Sequence, residues 1–161
     1  MQEFDFDLIV IKANDSNFLS QIQDSEKMAF AGGGEDYWTL QPMAEQQLIL
    51  AAVNVDKICA HAIIWKQWSN PKVAYLHSFV VNIDNRGLGL GRLFFRKMRQ
   101  FLVTLKIDLL QLTLEESNEI AKKIYSTEAR LIEQRFIENA YGPGEHRWHW
   151  TLDLRDFLYS S

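Results

Sequence analysis

With 161 residues, 47% of them apolar and 24% charged, the chain has enough material for one well-packed domain over residues 1–161 and too little for two ordinary ones. Its 17 basic and 21 acidic side chains give a net charge of −4 with no polybasic tail, which argues against nucleic acid as a partner. A lone cysteine, Cys59, excludes an intramolecular disulfide and a cysteine-rich zinc site; no run approaches the ~18 apolar residues of a membrane span, and the first residues carry no charged-then-apolar signal, so a soluble cytoplasmic protein off the membrane is expected.

Residues 4–11 open the chain as a strand, with Phe4 and Phe6 alternating against Asp5 and Asp7. Residues 14–23 read as a helix capped by Asn14 or Asp15, its apolar face formed by Phe18, Leu19 and Ile22. The glycine-rich residues 31–36 are either a lid or a slack connection, and Glu35 and Asp36 border them. A short helix over 37–47 contains Pro42. Two β-rich runs, 48–55 and 58–65, make a hairpin about Asp56-Lys57, and 68–72 is a turn. The densely apolar 73–81 predicts a central strand covered on both faces. After a glycine turn, 93–105 is a helix with Phe94, Met98, Phe101, Leu102 and Leu105 in one buried stripe and Arg92, Arg96 and Arg99 on another face. A strand over 107–114 precedes a long helix from Asn118 to about Gln134, with Leu131 and Ile132 in its core face. Strands 135–140 and 147–154 close the chain as a hairpin. The second arm alternates Trp148, Trp150, Leu152 and Leu154 against polar neighbours, so one half-exposed face is a candidate homodimer edge.

The chemistry is concentrated in Arg86-Gly87-Leu88-Gly89-Leu90-Gly91-Arg92, where a strand feeds a glycine-rich turn and then a helix. Glycine lets the backbone turn sharply and aim several N–H groups at an anion. The first N–H groups of a helix have no intrahelical partner, and the macrodipole adds roughly +0.5 charge at that end. The turn therefore reads as a diphosphate cradle bracketed by Arg86 and Arg92; a ligand-free glycine connection is the plainer alternative. Neither nucleotide motif fits. No Gly-Lys-Ser/Thr follows, and G-x-G-x-x-G would need glycine where Arg92 stands.

What fits is Arg/Gln-x-x-Gly-x-Gly/Ala, filled by Arg86, Gly89 and Gly91. This pattern resembles the acetyl-CoA signature of the GCN5-related N-acetyltransferases, the GNAT superfamily. The element order, strand, two helices, three strands, helix, strand, helix, two strands, is similar to that family from end to end. The resemblance implies an α/β fold with a mixed central sheet of about seven strands flanked by about four helices, splayed at the cofactor-binding strand. It implies acetyl-CoA as co-substrate, with Phe79, Val80 and Val81 pairing with the pantetheine arm through their main chain. The Gly87–Gly91 turn, Leu88 and Leu90 included, would hold the diphosphate.

Asn118-x-x-Ala121-x-x-Ile124-Tyr125 looks like the family's second motif, in which Asn118 caps a helix and touches the cofactor arm. Tyr125 would protonate the departing sulfur, since a phenol of pKa ~10 holds its proton above a thiol of pKa ~8.5. The family's Gly-Phe after that tyrosine is replaced by Ala129-Arg130, with Arg135-Phe136 the nearest equivalent, which implies six inserted residues. His77 lies four residues before Val81 on the same strand face and is a candidate general base, as in the arylalkylamine acetyltransferases, which are similar here; a packed strand histidine is the alternative. His61 is a weaker candidate. Glu35 and Asp36 are candidate contacts for a cationic amine, or simply solvated charges, and no histidine has metal-ligand spacing.

Two function classes follow. The first is an N-acetyltransferase in which a small-molecule or peptide amine attacks acetyl-CoA directly in a ternary complex. The second is a catalytically silent CoA-binding regulatory or interaction module. An unrelated nucleotide-binding protein is a third.

Overall fold

A computed structural model describes residues 4–155. The elements run β1 (Asp7–Val10), α1 (Ser16–Ala29), α2 (Tyr37–Gln46), β2 (Leu48–Asn54), β3 (Lys57–Lys66), β4 (Val73–Val81), a 3-10 turn (Ile83–Asn85), α3 (Leu90–Thr104), β5 (Leu109–Glu115), α4 (Glu119–Glu128), β6 (Arg130–Ile137) and β7 (Arg147–Asp153). The seven strands form one sheet in the order β1-β2-β3-β4-β5-β7-β6. Its β4–β5 pair is parallel, joined by the crossover through α3, while the β1–β2, β2–β3, β5–β7 and β6–β7 pairs are antiparallel. The mixed sheet and four α-helices expected from the resemblance are present. The β4–β5 ladder runs from Val73↔Leu109 to Leu76↔Leu112, and β4 continues for five further residues. Among the described residues no helix is long and apolar enough to cross a membrane.

Two compact units make up the fold. The first comprises residues 4–65 together with 77–94. Its core is Ile11, just after β1, with Leu19, Ile22, Leu40, Ile49, Ala51, Val53, Ile58 and Ile63 from α1, α2 and the β2–β3 hairpin. α1 ends six residues later than its apolar spacing predicts, because the helix goes on burying residues that are polar, Ser25 and Glu26. The hairpin pairs Asn54 with Lys57, so Val55-Asp56 forms its tip, one residue earlier than expected. Val55 there has φ 56, a strained setting for a β-branched residue. Asp36 caps α2, its carboxylate accepting from the N–H and hydroxyl of Thr39 at 2.9 Å each. The glycine-rich loop is fastened rather than slack. Gly34 has φ +83, and a Cβ there would lie 2.8–2.9 Å from the Glu26 backbone and Cβ, so only glycine allows the approach.

The second unit comprises 66–76 and 95–155. Met98, Leu102, Leu110, Leu112, Leu114, Leu152 and Leu154 are buried in it. Leu105, expected in the α3 stripe, follows the helix end and is exposed. The largest correction concerns residues 129–137. The long helix expected through Gln134 ends at Glu128, and 130–137 is the strand β6. Its Arg, Leu, Glu and Gln are good helix formers, but a ladder with β7 from Arg130↔Asp153 to Ile137↔Arg147 overrides that preference. β7, the tryptophan arm whose half-exposed face is a candidate homodimer edge, lies between β5 and β6 in the sheet, and its Trp150 is buried.

Candidate active site

Strand β4 sorts its side chains by period two. Leu76, Ser78 and Val80 are buried, while Tyr75, His77, Phe79 and Val81 are half-buried on the opposite face. Phe79 stacks on Phe94 with ring centroids 5.4 Å apart. The strand end is locked by Asn82, whose N–H donates to the Cys59 carbonyl at 2.9 Å and whose amide donates to the Ile58 carbonyl at 2.6 Å. Ser25 donates its hydroxyl to the Asn82 side-chain oxygen at 2.8 Å.

The glycine turn follows directly. Gly87 (φ 76) and Gly89 (φ 79) are left-handed, and a Cβ added to either would meet no atom within 4 Å. These residues are glycine for backbone conformation, and the space beside them is open. The first helical bond of α3 runs from the Leu93 N–H to the Gly89 carbonyl at 3.2 Å, so the N–H groups of Leu90 and Gly91 precede any intrahelical acceptor. Leu88 is exposed, and Leu90 is buried as the first residue of the helix. Arg86 turns back on the strand, its Nε donating to the Val81 carbonyl at 2.9 Å. Beside the turn lies a cavity of about 830 Å³ whose wall includes Val80, Val81, Asn82 and Arg86. With Asp24, Asp84 and Lys57 the wall carries two acidic and two basic side chains.

On the half-buried face of β4, His77 and Glu35 meet with Nε2 2.7 Å from Oε1, their side chains 26% and 20% exposed. The His77 ring also stacks on Trp65, with centroids 4.0 Å apart and planes 14° from parallel. Glu35 is therefore engaged with His77, and Asp36 is committed to capping α2.

Behind this pair is a fully buried carboxylate that sequence reasoning missed. Glu26 Oε1 accepts from His61 Nε2 at 2.7 Å and from the Ser78 hydroxyl at 2.5 Å, and Oε2 accepts from the Glu35 N–H at 3.3 Å. Burial raises the Glu26 pKa, but the bonds and charge of His61 with the Ser78 and Glu35 donors outweigh it, so the group is held below its ordinary value. His61, the weaker base candidate, has no exposed surface, and its Nδ1 has no partner among the described residues. It serves the buried anion. A signal existed: Glu26 stands seven and four residues after Leu19 and Ile22, on the buried stripe of α1, where a lone charge needs partners.

In the second unit, Asn118 caps α4, its side chain accepting from the Ala121 N–H at 3.1 Å. Tyr125 is buried, packs on Phe95 at 5.1 Å, and has its phenol pKa pushed far up by burial. α4 ends three residues after it, and Ala129-Arg130 lead straight into β6, so the helix is not lengthened beyond Tyr125. Arg96 and Arg99, on the second face of α3, are both engaged by the protein itself. Arg96 forms a two-bond pair with the buried Glu128 at 2.9 and 3.0 Å, and Arg99 is buried, donating to the Leu154 carbonyl at 3.3 Å. Among the described residues no three His, Cys, Asp or Glu side chains gather as a metal site requires.

The fold has solved counterparts. A ribosomal-protein-S18-alanine N-acetyltransferase from Escherichia coli superposes with a TM-score of 0.76 at 20% identity, over 92% of this chain and 94% of that one. An aminoglycoside 6'-N-acetyltransferase from Enterococcus faecium gives 0.73 at 12% identity, over 92% and 97%. A chimera of the spermidine N-acetyltransferase from Vibrio cholerae gives 0.77 at 12% identity, over 96% and 98%. No curated protein matches the chain in sequence. The family model described as the acetyltransferase (GNAT) family matches residues 17–128, from α1 through the end of α4, and the chain belongs to that family.

Proposed function

We propose that the chain is an acetyl-CoA-dependent N-acetyltransferase acting on a primary amine by direct attack in a ternary complex. The observation that carries this reading is the open, left-handed turn at Gly87 and Gly89 directly after the half-buried β4 face bearing His77, Phe79 and Val81. In this reading the diphosphate lies on the N–H groups of Gly87, Leu88, Gly89, Leu90 and Gly91, with Arg86 and Arg92 alongside. The pantetheine arm follows the main chain of Phe79, Val80 and Val81, and Asn118 touches it. A lone, buried cysteine suits a reducing compartment, and the cytoplasm is part of the proposal.

The amine nitrogen bonds to the thioester carbonyl carbon, and a main-chain N–H near Val81 holds the oxyanion. The C–S bond then breaks while Tyr125 protonates the sulfur, and His77 takes the proton that the amine gives up. The products are an N-acetyl amide and free CoA. The solved neighbours are named for an alanine of a ribosomal protein, aminoglycosides and spermidine, which makes an amine acceptor the class to test.

The deep burial of Tyr125 favours a second reading, a CoA-binding module without turnover. A screen of CoA release separates the two. Spermidine, an aminoglycoside, an alanine-initiated peptide and 2-phenylethylamine are each mixed with acetyl-CoA and the protein, beside His77→Gln and Tyr125→Phe. Turnover of one amine that falls on the order of 100-fold in either variant supports the enzyme. Tight acetyl-CoA binding with no release above the uncatalysed rate across the panel supports the module.

A further inference from the structure

We infer that Glu35 is a positioning residue for His77 rather than a contact for a cationic acceptor, and that the buried Glu26 sets the backbone from which Glu35 acts. The inference rests on His77 being the base of the proposed reaction.

Geometry assigns the roles. A carboxylate oxygen 2.7 Å from Nε2 can only accept, so the ring proton sits on Nε2 and the lone pair on Nδ1. The Trp65 face, 14° from parallel and 4.0 Å away, leaves the imidazole one plane in which to lie. Direction is thus fixed by Glu35 and tilt by Trp65. When the amine bonds to the acyl carbon, its proton passes to Nδ1, the Nε2–H stays on nitrogen, and the imidazolium charge faces the Glu35 carboxylate.

A carboxylate so engaged is poorly placed to bind an ammonium group as well. The loop that carries it is held independently of that side chain. The Glu35 N–H donates to Glu26 Oε2 at 3.3 Å, Gly34 lies against the Glu26 backbone, and the Tyr37 N–H donates to Gln23 Oε1 at 2.7 Å. Glu26 in turn is fixed by Ser78, the residue after His77 in β4. Two carboxylates, one buried and one half-exposed, therefore tie the loop before α2 to the strand bearing the base. Removing the Glu35 side chain leaves all three loop anchors, so Glu35→Ala should fold with an unchanged loop.

The test uses the whole chain with Glu35→Ala, Glu35→Gln, Glu35→Asp, His77→Gln and the Glu35→Ala/His77→Gln double variant. The first readout needs no acceptor. In the proton spectrum, a slowly exchanging His77 Nε2–H resonance is expected in the parent protein and in Glu35→Gln, whose amide oxygen still accepts, and is expected to vanish in Glu35→Ala. The second is kinetic, with the best acceptor of the amine panel. Glu35→Ala is expected to lower kcat about 100-fold with the acceptor KM changed less than about 3-fold, and the double variant to be no worse than His77→Gln alone. Glu35→Asp should recover part of the loss. A raised acceptor KM at unchanged kcat in Glu35→Ala overturns the inference and makes Glu35 an amine contact. Absence of the protected ring N–H in the parent protein overturns it too. If His77→Gln keeps full kcat, the base assignment fails and this role of Glu35 with it. If His77→Gln is slow and Glu35→Ala is not, Glu35 alone has been misassigned.

Discussion

Gly34 and Gly87 have nearly the same left-handed φ, +83 and +76, yet different surroundings make them answer differently to the same substitution. At Gly34 a methyl group would be driven to 2.8 Å from a helix backbone that cannot yield, so Gly34→Ala is expected to lose ~3 kcal/mol or more of stability. At Gly87 nothing stands within 4 Å, so Gly87→Ala costs only the left-handed penalty of ~1 kcal/mol and shows its main effect as weakened acetyl-CoA binding. Denaturant unfolding of both variants with and without acetyl-CoA separates a structural glycine from a ligand-facing one. Tyr125 adds a chemical prediction. Its burial and raised pKa keep the phenol protonated through the neutral range, so Tyr125→Phe is expected to lower kcat on the order of 100-fold without raising the KM for acetyl-CoA. Equal rates for the two proteins would remove the tyrosine from the reaction.

Elements were legible where one face carries the signal. The bounds of β4 are legible to the residue, since a densely apolar run, broken by His77 and Ser78 alone, ends shortly before a glycine turn. The Asn118 cap was legible as well, because an N-cap acts through local bonds; Asn118→Ala is expected to cost about 1 kcal/mol, measurable by thermal unfolding. β6 was hidden because it is an edge strand, exposed along most of its length and paired only with β7, so its composition reports solvent rather than sheet. The end of α1 was hidden for a related reason. Ser25 and Glu26 are buried by partners far along the chain, Asn82, His61 and Ser78, which no window of helical spacing contains. The same distance explains the candidate site. The glycine turn and Asn118 are local and could be read, whereas the His77–Glu35 pair joins positions 42 apart and needed coordinates.

The whole molecule carries its pH response in buried carboxylates. Asp153, bonded by the Arg155 side chain and backbone and by Arg130, is held down at about 2 against an ordinary 3.8, and Glu26 is also held below its ordinary value. A depressed carboxylate contributes stability that is present above its unfolded pKa and lost as the pH falls through its folded one. Stability is therefore expected to drop from about pH 4 downward. Because its arginine partners are half exposed, Asp153→Asn should cost only about 1 kcal/mol at pH 7, and that difference should close near pH 2. Glu26→Gln should cost ~3 kcal/mol or more, since it places an amide donor among three donors at a buried position. Unfolding free energies between pH 7 and pH 3 test the sign; stability that rises on acidification would contradict it. The account of function rests on a cofactor cradle at Gly87–Gly91, and calorimetric titration of the purified chain with acetyl-CoA tests it most directly. One binding event per chain is expected, weakened at least about 10-fold by Gly89→Val and not reproduced by ATP. A parent protein that gives no heat with acetyl-CoA, or a Gly89→Val variant that binds it as well as the parent, would contradict the account.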